Sequence, residues 1–318
     1  MLFSDLPPLF VRVFGVVLGL LWGSFLNVVI YRVPRGMSVV HPPSHCPACG
    51  KNVAPWLNVP VFSYLILRGK ARCCGAKMSA RYPLVEALGG GLSLAIIEVL
   101  LLGLPPRTTL ATGLLLFGAY LALALGLLAA AFIDLEHMIL PDEITLGGAV
   151  LGVATAGLRG MPYGTSLLGA VVGYLVVWFP FVFLYKKVRG QDGMGLGDAK
   201  LLMLAGAWFG ILGAVVVLFA GAIQGSVAGI VMMLTQGKIE EPEAVALERE
   251  ELIKDAEAGD EEAKKILEED PLAKAPEEGF LRARLPFGPF LIVSIYEFLF
   301  LGDRIVSFIG LDVLFAGV

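Results

Sequence analysis

The chain has 318 residues, of which 57% are hydrophobic and 16% are charged, with a mean hydropathy of +0.80 and a net charge of -4. This composition excludes an ordinary soluble domain, in which about 25% of the residues are charged. We also expect no nucleic-acid role, because the most strongly charged segment is acidic and would repel phosphate.

Apolar runs that are long enough to cross about 30 Å of hydrocarbon recur along nearly the whole chain. They predict an all-α polytopic membrane protein with about eight transmembrane helices and a small cysteine-containing cytoplasmic domain. The first run is followed by no cleavage site of the signal-peptide type, so we expect it to remain in the mature protein. The predicted spans are residues 10–31, 84–104, 109–133, 144–158, 166–185, 199–213, 214–234 and 287–301.

Charge is concentrated in two segments of the chain. The segment from Arg32 to Arg81 contains basic residues and no acidic one, which by the positive-inside rule predicts a cytoplasmic loop. We expect these basic side chains to contact anionic membrane lipid. Eight spans then place residues 134–143, 186–200 and 237–285 on the same side as this loop.

All four cysteines fall in the basic segment: Cys46, Cys49, Cys73 and Cys74. In the reducing cytoplasm, thiols favour metal ligation over disulfide formation. The sequence therefore indicates a metal-binding group on the cytoplasmic side.

Two aspartates mark the ends of predicted membrane helices. Asp134 ends one apolar run, and Asp198 begins another in the segment GMGLGDAKLL. The span count places both at the same membrane face. Two facing carboxyl groups are able to hold a water molecule, one ionised to take its proton and one protonated to polarise a peptide carbonyl. Taken singly, each aspartate is equally well explained as a helix cap.

The helix ends predict different roles for the two acids. The partial positive charge at a helix N-terminus favours an ionised Asp198, whereas a helix C-terminus favours a neutral Asp134. Gly195 and Gly197, with Gly193, lack side chains beside Asp198, so an extended substrate backbone is able to approach it closely. Other polar residues lie near the two aspartates in the sequence, and we assign them simpler roles as turn formers, caps or polar residues at headgroup level. They are Asp142, Asp192, Glu136 and His137.

Five regions follow from these patterns: a first transmembrane helix (1–31), a cytoplasmic cysteine domain (32–83), a transmembrane catalytic core (84–236), an acidic cytoplasmic insertion (237–284), and a last transmembrane helix with a tail (285–318). The insertion has acid-to-base pairs at helical spacing and breakers at Gly259 and Pro271, so we expect two short solvated helices. We favour an insertion without chemistry of its own over a site for partner docking.

Six segments resemble the bacterial type IV prepilin leader peptidases, and they occur in that family's order: GSFLNVVIYRVPRG, CPACGKNVAPWLNVPVFSYLILRGK, SARYPLVEAL, IDLEHMILPDEIT, GMGLGDAKLLMLAGAW and LPFGPFL. The resemblance implies an intramembrane aspartyl protease of the GxGD type in the bacterial inner membrane, with its active site facing the cytoplasm. It implies that prepilins and pseudopilins are the substrates and are cut after a glycine. It also implies that the new N-terminus is then methylated with S-adenosylmethionine. The family's catalytic aspartates match Asp134 and Asp198.

The resemblance also implies a zinc site, because the family usually holds two CxxC pairs that form a Zn²⁺ knuckle. Here Cys46 and Cys49 form an intact pair, whereas the second segment reads KARCCGAK, with Ala71 in the first position and Cys74 in the last. Adjacent cysteines usually point apart, so the sequence does not decide which residue is the fourth ligand. Cys73, His41 and His45 are its candidates, and a metal-free site is the remaining alternative.

Two other functions fit part of the sequence. A cation-coupled membrane transporter would use Asp134 and Asp198 as an ion site, but it would usually show internal repeats and acids near mid-span. A membrane scaffold would use the acidic insertion to recruit partners. The sequence leaves open whether the protein forms a homodimer.

Overall fold

The structure is a computed structural model that describes residues 1–46, 48–54, 57–189, 193–236, 242–269, 273, 285–308 and 310. Within these ranges there is no β-strand, and the architecture is helical, with short 3-10 and π segments. Asp192 lies outside the described residues, as do residues 237–241, 270–272 and 274–284 of the insertion, so the predicted break at Pro271 also falls outside them. The α-helices are α1 (Pro8–Arg32), α2 (Phe62–Ile66), α3 (Arg81–Ile96), α4 (Leu110–His137), α5 (Asp142–Ala154), α6 (Tyr163–Val177), α7 (Tyr185–Arg189), α8 (Leu196–Gln236), α9 (Glu243–Glu257), α10 (Glu261–Glu269) and α11 (Gly288–Phe308).

Five helical stretches in the described part of the chain are long and apolar enough to cross a membrane. This confirms the predicted all-α multi-pass membrane protein. The stretches are Pro8–Arg32, Arg81–Leu101, Leu110–His137, Tyr163–Arg189 and Leu196–Thr235.

The predicted number of eight spans is not confirmed. Helix α5 has 13 residues and extends for only about 20 Å. The predicted spans 199–213 and 214–234 belong to the single helix α8, which is interrupted by a non-helical backbone at Gly210. Helix α11 has 21 residues but carries three charged ones, Glu297, Asp303 and Arg304, and it is not among the five stretches.

The chain divides into two compact units. The first comprises Met1–Ala130, Leu151–Tyr163 and Leu299–Val318, and the second comprises Ala131–Val150 and Gly164–Phe298. All four cysteines belong to the first unit, and both candidate aspartates belong to the second. Each unit therefore carries one of the two predicted sites.

In the first unit, helices α1 and α3 cross at small residues. A Cβ added to Gly19 would stand 2.5 Å from the carbonyl oxygen of Gly89, and the hydroxyl of Ser93 donates to the carbonyl oxygen of Gly15 over 2.6 Å. Small residues let two backbones approach closely, and close approach supplies the packing that joins helices in a bilayer.

In the second unit, the first half of α8 is fixed by α5 and α6. Gly169 of α6 and Gly206 of α8 touch backbone to backbone, and the hydroxyl of Ser166 donates to the carbonyl oxygen of Ala207 over 2.6 Å. On the α5 side, the indole N–H of Trp208 donates to the carbonyl oxygen of Gly148 over 2.9 Å. These contacts hold the segment of α8 that begins beside Asp198.

The acidic insertion contains the two predicted short helices, α9 and α10. Gly259 separates them, and its φ of 101° is a backbone conformation that side-chain-bearing residues rarely adopt. The prediction of a break at Gly259 is confirmed.

Candidate active site

Asp134 and Asp198 lie together in the second unit. Asp134 is in the last turn of α4, and Asp198 is the third residue of α8. Both are buried, with 5% and 8% of their surfaces exposed, and the two carboxyl groups interact electrostatically. Asp134 thus lies at the end of one helix and Asp198 at the start of another, as the sequence predicted.

The side chain of Leu140 lies close to a glycine beside each of the two aspartates. A Cβ on Gly197, next to Asp198, would stand 3.0 Å from Cβ of Leu140. A Cβ on Gly288, the first residue of α11, would stand 3.2 Å from Cδ2 of the same leucine and 2.6 Å from Oδ2 of Asp134. One side chain thus packs against a glycine neighbour of each aspartate.

Backbone groups hold the two carboxyl groups in place. The backbone N–H of Gly195 interacts with the side chain of Asp198, and the backbone N–H of Gly288 interacts with that of Asp134. Oδ2 of Asp134 is buried and has no hydrogen-bond partner within the described part of the chain. A buried carboxyl oxygen that is left available in this way is suited to bind a reacting water or a substrate group.

The glycines beside Asp198 provide space rather than an unusual backbone conformation. Neither Gly195 nor Gly197 has a positive φ. A Cβ on Gly195 would stand 3.3 Å from Oδ2 of Asp198, so the absent side chain leaves room directly beside the acid. This fits the predicted approach of a substrate backbone, which stays a prediction.

Two polar residues near the aspartates in the sequence, Asp142 and His137, make polar contacts with residues other than the aspartates. Asp142 accepts a 2.6 Å hydrogen bond from Nζ of Lys200, and this ion pair joins the start of α5 to the second turn of α8. His137 is buried and its Nδ1 lies 2.8 Å from Oε1 of Glu248 in the insertion. Sequence reasoning missed the contact between His137 and Glu248. For Gly288, the only signal was its place in the segment LPFGPFL.

The four cysteines form one cluster in the first unit, with all four Sγ atoms within 4.8 Å of one another. The Sγ atoms are separated by 3.7 Å for Cys46 and Cys74, 3.3 Å for Cys49 and Cys73, and 3.9 Å for Cys73 and Cys74. Four thiolates at the Zn–S distance of about 2.3 Å would lie about 3.8 Å apart, so the donor set fits one tetrahedral metal ion.

Two turns of the same backbone pattern build this cluster, 25 positions apart. In the first turn the N–H of Cys46 donates to the carbonyl oxygen of Lys51, and in the second the N–H of Ala71 donates to that of Ala76, both over 2.8 Å. Cys74 therefore corresponds to Cys49, and Ala71 occupies the place of Cys46. Cys73 supplies the fourth sulfur from a neighbouring position, so no histidine is needed to complete the set.

The cluster also favours a thiolate at one cysteine. Hydrogen bonds from the backbone N–H groups of Ala48 and Cys49 lower the pKa of Cys46 to about 7. Hydrogen bonds with the thiols of Cys49 and Cys46 raise the pKa of Cys73 to about 12. Because a thiolate is the form that binds a metal, Cys46 is the natural first ligand.

Comparison with known proteins identifies the family. Residues 17–99 match the bacterial peptidase A24 N-terminal domain, and residues 121–230 match the type IV leader peptidase family. No solved structure is significantly similar to the chain. None of these comparisons supports the transporter alternative.

Several curated relatives, the following three among them, carry the name prepilin leader peptidase/N-methyltransferase. The Myxococcus xanthus protein is 36% identical over 98% of this chain and 97% of its own length. The Neisseria gonorrhoeae protein is 38% identical over 74% of this chain and 87% of its own length. The Pseudomonas aeruginosa protein is 36% identical over 69% of this chain and 79% of its own length. The chain therefore belongs to the type IV leader peptidase family.

Proposed function

We propose that the protein is a prepilin leader peptidase and N-methyltransferase of the bacterial inner membrane, with its active site on the cytoplasmic side. One observation carries the proposal: two buried carboxyl groups, from the end of α4 and the start of α8, share one site that glycines keep open. The family membership and the names of the relatives agree with it.

In this proposal Asp198 and Asp134 act as a catalytic pair on a water molecule. Ionised Asp198 takes a proton from the water, whose oxygen bonds to the scissile carbonyl carbon, while protonated Asp134 gives its proton to the carbonyl oxygen. When the C–N bond breaks, Asp198 passes its proton to the leaving amine and one hydroxyl of the intermediate returns a proton to Asp134. Both acids end in their starting states.

The assignment of base and acid follows from the helix ends. Asp198 lies in the first turn of α8, where the N-terminal dipole favours an anion, and Asp134 lies in the last turn of α4, where the dipole favours the neutral acid. Two carboxyl groups in one buried site do not both ionise readily, so the pair holds a single proton.

Methylation is the second proposed activity, with S-adenosylmethionine as the donor. When bound, S-adenosylmethionine would supply the methyl group of its sulfonium to the deprotonated amine of the new N-terminus, which would then lose a proton. The name of the relatives supports this activity.

We further propose that Cys46, Cys49, Cys73 and Cys74 hold one Zn²⁺. The fit of their spacing to a tetrahedral ion supports this assignment. When bound, the metal would cross-link the two turns of the cysteine domain and so contribute to its folding.

The experiment that tests the main proposal is incubation of the purified protein with a synthetic prepilin, followed by mass spectrometry of the mature N-terminus. We expect cleavage after the leader glycine, and one added methyl group when S-adenosylmethionine is present. Asp134→Asn and Asp198→Asn should each abolish cleavage, whereas the matched variant Asp142→Asn should retain it. Cleavage that persists in either of the first two variants would refute the catalytic pair.

A further inference from the structure

The last turn of α4, which carries Asp134, ends in an unfavourable backbone conformation. Met138 follows the helix with a φ of 55°, and its N–H closes the turn by donating to the carbonyl oxygen of Asp134 over 2.9 Å. The left-handed region is uncommon for residues other than glycine, so surrounding contacts must hold this end of the helix.

His137 is one of these contacts, since it is the last residue of α4 and lies three positions after Asp134. Its side chain is only 1% exposed, whereas that of its partner Glu248 is 57% exposed. Nε2 of His137 is buried and has no hydrogen-bond partner within the described ranges. The 2.8 Å contact between Nδ1 and Oε1 of Glu248 is therefore the polar interaction that fixes the ring.

The chemistry of this contact sets the form of the imidazole. An ionised carboxylate only accepts hydrogen bonds, so Nδ1 of His137 carries the hydrogen that it donates to Glu248. A buried ring that is held through one nitrogen keeps a fixed orientation. Because the ring is attached to the last turn of α4, it also restricts the position of that turn.

The partner of His137 belongs to the acidic insertion. Glu248 lies on α9, one turn after Val245, which is 5% exposed. Val245 and Glu248 are three residues apart and therefore lie on one face of α9. Val245 is buried on this face, whereas Glu248 stays largely exposed and reaches His137 with its carboxylate oxygen Oε1.

We propose that Glu248 is a positioning residue for Asp134: it orients His137 and thereby fixes the last turn of α4. The insertion then supports the catalytic pair instead of being a segment without chemistry. This inference rests on the proposed peptidase function, because its consequence is seen in the rate of prepilin cleavage.

The test compares steady-state cleavage of a synthetic prepilin by the full-length parent and three variants. In Glu248→Ala, which removes the acceptor, we expect kcat to fall about tenfold and KM to stay within about twofold of the parent. In Glu248→Gln, whose amide oxygen still accepts a hydrogen bond, kcat should recover to within about twofold. The matched control Glu251→Ala, on an exposed site of the same helix, should behave as the parent.

A second measurement does not depend on catalysis. In ¹⁵N spectra of histidine-labelled protein, we expect His137 to show the tautomer protonated at Nδ1 in the parent and in Glu248→Gln, and to lose this single form in Glu248→Ala. The double variant His137→Ala/Glu248→Ala should have the same kcat as His137→Ala alone, because the two side chains act through one contact.

An unchanged kcat in Glu248→Ala would overturn the inference, as would an equal loss in Glu251→Ala. A rise in KM at constant kcat would also overturn it, since that result assigns α9 to substrate binding. If the parent itself does not cleave prepilin, the proposed function fails, while the spectra still report whether Glu248 orients His137.

Discussion

Gly288 lies directly against the carboxyl group of Asp134: a methyl group added to this glycine would stand 2.6 Å from Oδ2. The contact places the start of α11 beside the end of α4. The third element of the candidate site thus comes from a part of the chain far from either aspartate.

The variant Gly288→Ala should therefore lose activity while it still folds. The new methyl group must displace the Asp134 side chain, and a shift of about 1 Å in a catalytic group costs about 100-fold in rate. Prepilin cleavage in detergent measures the loss. Gly164→Ala is the matched control, because Gly164 also lies at the start of a helix and its added methyl group would meet no atom within 4 Å. Equal activities of the two variants would contradict the prediction.

Zinc binding should require the thiol of Cys73, and a cysteine at position 71 should be able to replace that thiol. Cys73→Ala removes one of the four sulfur ligands, so we expect the zinc content of the purified protein to fall well below one ion per chain. Adding Ala71→Cys should restore it, because Ala71 occupies the position that corresponds to Cys46 in the other turn. Elemental analysis by mass spectrometry checks both variants.

A parent protein that contains no zinc would contradict the metal assignment. Zinc retained in Cys73→Ala would show that another group supplies the fourth ligand.

The crossing of α6 and α8 should tolerate no added atom. In Gly206→Ala the methyl group would overlap the backbone carbonyl of Gly169, and a backbone cannot move aside as a flexible side chain can. We expect a loss of about 1–3 kcal/mol in the free energy of unfolding, which is typical of overpacking. Thermal unfolding in detergent measures it. Gly229→Ala, in the same helix but with no atom within 4 Å of the added methyl group, should remain as stable as the parent.

Asp142 should be dispensable for cleavage even though it lies close to the site in sequence. Its ion pair with Lys200 is partly solvent-exposed, and such pairs contribute about 0–1 kcal/mol to stability. We expect Asp142→Asn to change the cleavage rate by less than about twofold. A loss as large as that of Asp198→Asn would show that a third acid takes part in the reaction.

Much of the candidate site was accessible from the sequence because its signals are local. Asp134 and Asp198 stand where apolar runs end and begin, and the helices α4 and α8 end and begin close to these residues. Both α9 and α10 were also predicted, since acid-to-base pairs and a glycine break are features of a short stretch of chain.

Features that depend on tertiary contacts were not accessible. Nothing in the sequence pairs Gly288 with Asp134, or selects Glu248 from the many acidic residues of the insertion as the partner of His137. The prediction of eight spans from hydropathy alone is not confirmed, because hydropathy does not show where a helix ends, and α5 has only 13 residues. The position of Cys73 depends on a turn geometry that the spacing of the cysteines does not reveal.

The two matching turns of the cysteine domain have a wider consequence. Because Cys73 places a fourth sulfur in the cluster although position 71 is an alanine, four thiols come together without a second CxxC pair in the sequence. A thiol two positions away from the corresponding place in the turn is therefore enough to complete the cluster, and a search for fixed cysteine spacing does not reveal it. Relatives that lack one of the usual cysteines should be inspected for a thiol nearby before they are judged unable to bind zinc.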